Sequence, residues 1–81
     1  MILEVGSVYV IMPSDDSDFS DELHAAGIDH NKEEVVTIIS FRKIKNKGRW
    51  YATDLLLSCG KIVKDATFTM DEIDAYFLKI S

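Results

Sequence analysis

The pattern of hydrophobic and polar positions predicts several short β-strands. Four segments are rich in β-branched and aromatic residues and are bounded by turn-forming residues, and they cover 5–12, 34–44, 49–57 and 61–69. Such runs are typical of strands. Because only short turns separate the last three segments, they predict an antiparallel meander with connections at 45–48 and 58–60.

The pattern changes to helical spacing in "TMDEIDAYF", residues 69–77. Ile73, Tyr76 and Phe77 fall on one face of such a helix. Thr69 and Glu72 form a Thr-x-x-Glu capping box, in which each residue satisfies a backbone donor of the other. The "FLKIS" that closes the chain predicts a short last strand.

A long polar connection, residues 13–34, follows the first strand. Ser20 can cap a short helix over residues 21–26, and Gly27 lies where a glycine commonly ends a helix. A connection of this length inside a small domain is often functional. We therefore expect this segment to contribute to a site.

The order of these elements predicts one mainly β domain over residues 1–81. We expect a five-stranded antiparallel small barrel with a C-terminal helical turn, since closing the sheet removes its exposed edges. The alternative is an α+β sheet with one packed helix.

Two short motifs resemble the SH3-like small barrels. "RWYA" (49–52) is similar to the aromatic pair and alanine that open the third strand there, and "DAYF" (74–77) is similar to the short helical turn near the end. The resemblance implies the barrel fold and a groove position for Tyr76. Arg49 occupies the place of the ligand-binding tryptophan, so recognition of proline-rich peptides is not inferred.

Composition and charge narrow the class of protein. The chain is 47% hydrophobic with a net charge of −5, has one cysteine, Cys59, and shows no secretory signal or membrane span. We therefore expect a cytoplasmic protein without an intramolecular disulfide. The charge is uneven, because residues 13–34 hold eight acids and one lysine, whereas residues 42–49 hold five basic residues and no acid.

The residues whose side chains could take part in catalysis are not arranged for it. His24 and His30 lie six positions apart, and Cys59 has no histidine near it. Asp71 and Asp74 suit the N-terminus of the last helix, where they balance its dipole. The acidic stretch does not follow the spacing of a calcium-binding loop. We expect no enzyme, no metal and no cofactor.

The sequence favours a small acidic binding protein of the accessory or inhibitor type that phages and mobile elements encode. It would engage a protein partner through a face that joins the acidic connection to two aromatic residues: Phe19, Asp21, Glu22, Trp50 and Tyr76. We expect a monomer or a homodimer through an edge strand. The alternative is single-stranded nucleic-acid binding through the basic hairpin tip, with Arg42, Lys43, Lys45, Lys47 and Arg49 contacting phosphates and Trp50 stacking on a base.

Overall fold

The fold, seen in a computed structural model that describes residues 3–81, is mainly β. Seven elements follow one another along the chain: β1 (Val8–Ile11), α1 (Ser17–Ala25), β2 (Glu34–Lys43), β3 (Trp50–Leu57), β4 (Ile62–Thr69), α2 (Met70–Tyr76) and β5 (Phe77–Lys79). The five predicted strands and the C-terminal helix are confirmed. The connection after β1 contains the second helix, α1.

The five strands form one antiparallel sheet in the order β4-β3-β2-β1-β5. Among the described residues β4 and β5 do not pair, so the sheet is open where a closed barrel would continue. The helix α2 runs directly from β4 into β5 and contacts both strands. Its buried Ile73 covers the core at this end, where backbone pairing would otherwise close the ring.

Two β-bulges shape the sheet, and the strand pattern alone did not predict them. One shifts the register of β2 against β3 between Ile38 and Ser40, and the other shifts β3 against β4 between Thr53 and Leu55. At the second bulge Asp65 has a φ of 57° and its N–H donates to Asp54 Oδ1 at 2.9 Å. Because bulges bend strands and increase twist, they divide the sheet into a regular half and a more strongly bent half.

The core lies on one face of the sheet and is closed by both helices. Tyr9, Phe19 and Phe68 are its largest fully buried side chains. Phe77 packs edge-on against Phe68, with ring centroids 5.3 Å apart. From Thr53 onward β3 alternates, since Thr53, Leu55 and Leu57 are buried while Leu56 between them is exposed.

Helix α1 begins one turn earlier than the sequence predicted. Its N-cap is Asp16 and not Ser20, because Asp16 Oδ1 accepts hydrogen bonds from the N–H groups of Asp18 and Phe19 at 3.0 and 3.2 Å. The earlier start places Phe19 in the first turn, where its ring reaches the core. The capping carboxylate therefore fixes both the helix start and a buried aromatic contact.

The end of α1 is as the sequence predicted. Gly27 has a φ of +79°, and its N–H donates to His24 O at 3.0 Å. The N–H of Ile28 donates to Leu23 O at 2.8 Å, which completes a Schellman motif. Ile28 and Leu23 are both buried, so the motif also returns the chain to the core.

The capping box of α2 is confirmed as well. The Thr69 N–H donates to Glu72 Oε1 at 2.8 Å, and the Glu72 N–H donates to Thr69 Oγ1 at 3.2 Å. This reciprocal pair fixes the Glu72 side chain beside the end of β4. Within residues 3–81, no helix has the length and apolar character that a membrane span requires.

Candidate functional site

An open cleft of about 490 Å³ lies where α1, the start of β3 and the start of α2 meet. We call it the acidic cleft, because six of its eight lining residues are carboxylic acids. The lining residues are Asp16, Asp18, Asp21, Glu22, Trp50, Thr69, Asp71 and Glu72.

Strand register explains why these distant residues meet. Trp50 pairs with Thr69 across β3 and β4, and the Met70 N–H donates to the Arg49 carbonyl at 3.0 Å. Helix α2 starts at this point, so its first-turn acids lie beside Trp50. Helix α1 supplies the opposite wall, since Phe19 anchors it to Phe68 of β4 with ring centroids 5.7 Å apart.

Trp50 forms the aromatic part of the cleft. It is half-buried, and it is the only tryptophan in the chain. An indole ring among carboxylates is an environment that favours a cation, because the ring face and the carboxylates attract the same charge. The solitary indole also makes its fluorescence a reporter of this cleft alone.

Glu22 and Glu72 face each other as a carboxyl pair. Glu72 is 8% exposed and already accepts a hydrogen bond from Thr69. Glu22 Oε1 is buried, and no N–H or O–H group of the described residues donates to it. Burial first, and then the hydrogen bond and charge of Glu72 with smaller effects of Asp18 and Asp16, raise the pKa of Glu22 to about 8.

The raised pKa determines the charge of the cleft. With its pKa near 8, Glu22 is mainly protonated at neutral pH, so the cleft carries less negative charge than its six acids would give. A cation that enters the cleft favours the ionised form of Glu22. Binding of a positive group is therefore expected to expel this proton.

The other two members of the predicted binding face lie behind the cleft. Phe19 is 0% exposed, so it has no surface to offer a partner, and the sequence-based expectation of a contact there needs correction. The Tyr76 ring stacks on Phe19 with centroids 4.4 Å apart, and its hydroxyl donates to Asp16 Oδ2 at 3.3 Å. Both side chains support the helix that carries the acids.

The basic hairpin tip and Trp50 have different surroundings. Arg42 forms an ion pair with Asp65, and Arg49 forms one with Asp71 at the rim of the cleft. The three lysines of the tip are exposed and form no ion pair with any described residue: Lys43, Lys45 and Lys47. The ring expected to stack on a base instead lines the acidic cleft.

Sequence analysis missed the part that α2 plays in the site. Asp71 was assigned to the helix dipole and Glu72 to the capping box, yet both also line the cleft. The register of β3 against β4 could have revealed this role, because a pairing of Trp50 with Thr69 places the first turn of α2 beside the indole.

Other candidate chemistry remains dispersed. Over residues 3–81 no group of three or more His, Cys, Asp or Glu side chains is arranged to hold a metal ion. Cys59 is exposed on the turn between β3 and β4. The acidic cleft is therefore the arrangement in which charge, an aromatic ring and concave shape coincide.

Comparison with known proteins adds no assignment: no family model, no curated protein and no solved structure matches this chain.

Proposed function

We propose that the protein is a non-enzymatic binding protein, of accessory or inhibitor type, that takes a basic segment of a protein partner into the acidic cleft. The observation that supports this most directly is the position of Trp50 among six carboxylic acids. Aromatic anchors surrounded by complementary charge are typical of the residues that dominate binding energy at protein interfaces.

An arginine side chain fits this environment well. Its guanidinium plane can stack on the indole of Trp50 while its N–H groups donate to carboxylates such as Asp21 or Asp18. Arg49 already occupies a similar position internally, since it pairs with Asp71 at the rim. A partner arginine would extend this network into the cleft.

The same features disfavour nucleic acid as the ligand. A base stacked on Trp50 would bring its phosphates towards the acids of the cleft, which repel them. Two of the five basic residues at the tip, Arg42 and Arg49, are already paired with acids. The three remaining lysines are exposed at the tip of the β2–β3 hairpin, away from the carboxylates that surround Trp50.

The proposal is tested by titrating the protein with an arginine-rich peptide, (Arg-Gly)₄, while Trp50 fluorescence is recorded. We expect a saturable change that strengthens between pH 6 and pH 8.5, as Glu22 loses its proton more readily. A (Glu-Gly)₄ peptide should produce no change. A mixed-sequence single-stranded oligonucleotide is titrated in parallel as the competing hypothesis.

Matched variants locate the contact. Asp21→Asn removes an exposed acid from the cleft, and we expect it to weaken peptide binding several-fold. Glu33→Gln removes an exposed acid outside the cleft and should leave binding unchanged. Equal losses in both variants would show non-specific charge attraction, and a response to the oligonucleotide alone would favour the basic tip.

A further inference from the structure

A second surface lies on the opposite side of the sheet from the core. Because side chains alternate along strands, the residues between the buried positions of each strand point outward. Two rows of them run across the sheet in register. One row is Ile62, Leu56, Thr37, Val8 and Ile80, and the other is Val35, Val10 and Leu78.

These rows form what we call the outer apolar face. Five of its side chains are substantially exposed, with relative accessibilities of 54% for Ile62, 37% for Leu56, 52% for Ile80, 38% for Val35 and 56% for Leu78. None of its eight residues is charged. Contiguous apolar patches of this kind on a small protein mark interaction surfaces.

The bulges lie outside this face. In β2 it uses residues before the shift at Ile38 and Ser40, and in β3 it uses Leu56, which lies beyond the shift that ends at Leu55. The outer apolar face therefore coincides with the regular half of the sheet. Regular aliphatic sheet surfaces pack on each other with their strands nearly aligned, as in β-sandwiches.

We propose that the outer apolar face binds the same face of a second copy of this chain, forming a two-fold symmetric dimer. The surface is self-complementary, since it consists only of aliphatic side chains and one threonine. Covering it in both copies removes on the order of 1,000 Å² of apolar area, which with its polar rim reaches the roughly 1,200 Å² of a small stable interface.

The distribution of charge favours this pairing over others. Each copy has a net charge of −5, so two copies repel each other unless their acidic regions are kept apart. Both helices pack on the core side of the sheet through Phe19, Leu23 and Ile73. These helices also carry acids of the cleft, Asp21 and Glu22 on α1 and Asp71 on α2, whereas the outer apolar face holds no acid, so face-to-face pairing places no carboxylate of the face against its copy.

The test is sedimentation equilibrium from about 10 µM to about 1 mM. We expect a reversible monomer–dimer equilibrium in the wild-type protein, with a dissociation constant on the order of 10–100 µM for an interface of this size. Leu56→Lys places a charge within the face, between Ile62 and Thr37, and should weaken dimerisation at least about tenfold. Thr67→Lys, an exposed position of β4 outside the face, is the matched control and should dimerise normally.

Amide chemical shifts of the wild-type protein, followed with dilution, keep the proposal testable if Leu56→Lys does not fold. Concentration-dependent shifts should concentrate in the strands of the outer apolar face. A protein that stays monomeric at 1 mM overturns the proposal, and so does a dimer that Leu56→Lys leaves intact. Shifts confined to the β5 edge would show strand-edge pairing instead and would also refute it.

Discussion

Replacing Glu22 by glutamine should remove most of the pH dependence of stability between pH 4.5 and pH 8. The folded protein holds a proton on Glu22, with its pKa at about 8, whereas the ordinary value is 4.5. Across this window the unfolded chain has lost that proton and the folded chain has kept it. Stability must therefore fall as pH rises through the window, and level off above pH 8.

The size of the effect follows from the shift and from exposure. One pKa unit corresponds to about 1.4 kcal/mol, so the full shift of Glu22 would lower the free energy of unfolding by about 5 kcal/mol at high pH. Because water reaches this partly exposed side chain, we expect a loss of about 2 kcal/mol. Glutamine cannot ionise, and its amide N–H₂ can donate to Glu72 as the protonated carboxyl does. The variant should match the wild type at pH 5 and exceed its stability by about 2 kcal/mol at pH 9.

Urea unfolding at several pH values, followed by far-ultraviolet circular dichroism, measures this difference directly. All other titrating groups are shared by the two proteins, so subtracting the two curves isolates Glu22. Glu33→Gln, at an exposed position, should run parallel to the wild type throughout. Parallel curves for Glu22→Gln as well, or a variant less stable than the wild type at pH 9, would refute the assignment of the proton to this pair.

Three further substitutions test the elements that build the cleft, each by thermal or urea unfolding. Phe19→Ala empties a fully buried site between Phe68 and Tyr76 and should cost about 3–5 kcal/mol; a loss under 1 kcal/mol would mean that Phe19 is not a core residue. Thr69→Ala removes half of the capping box and should cost about 1 kcal/mol, with Thr69→Ser largely restoring it. Gly27→Ala forces alanine to a φ of +79° and should cost about 1–2 kcal/mol, so an unchanged midpoint would contradict the left-handed C′ geometry.

The strands were predictable because their signals are local. The apolar segment at 49–57 predicted β3, and the turn predicted at 45–48 is present, with positive φ at Asn46 and Gly48. Thr69 and Glu72 predicted the start of α2, because they form a capping box that spans only four residues. In each case the physical cause and the sequence pattern occupy the same short stretch of chain.

The details that sequence did not reveal depend on contacts between distant segments. The sequence predicted Ser20 as the cap of α1, whereas Asp16 caps it, and the earlier start lets Phe19 pack against Phe68. The bulge opposite Asp54 depends on how β3 and β4 meet, which no run of residues in either strand specifies. The open sheet likewise depends on α2 contacting both end strands.

The acidic cleft illustrates how such distant contacts can favour a site over stability. Packing α1 on β4 brings Glu22 against Glu72, and that proximity lowers the stability of the folded protein at neutral pH and above. A core that needed only to fold would gain from an amide at position 22, as the glutamine variant tests. Under the proposed function, a positive group from the partner would favour the ionised form of Glu22 and pair with it, so binding would recover free energy that ionisation costs the free protein.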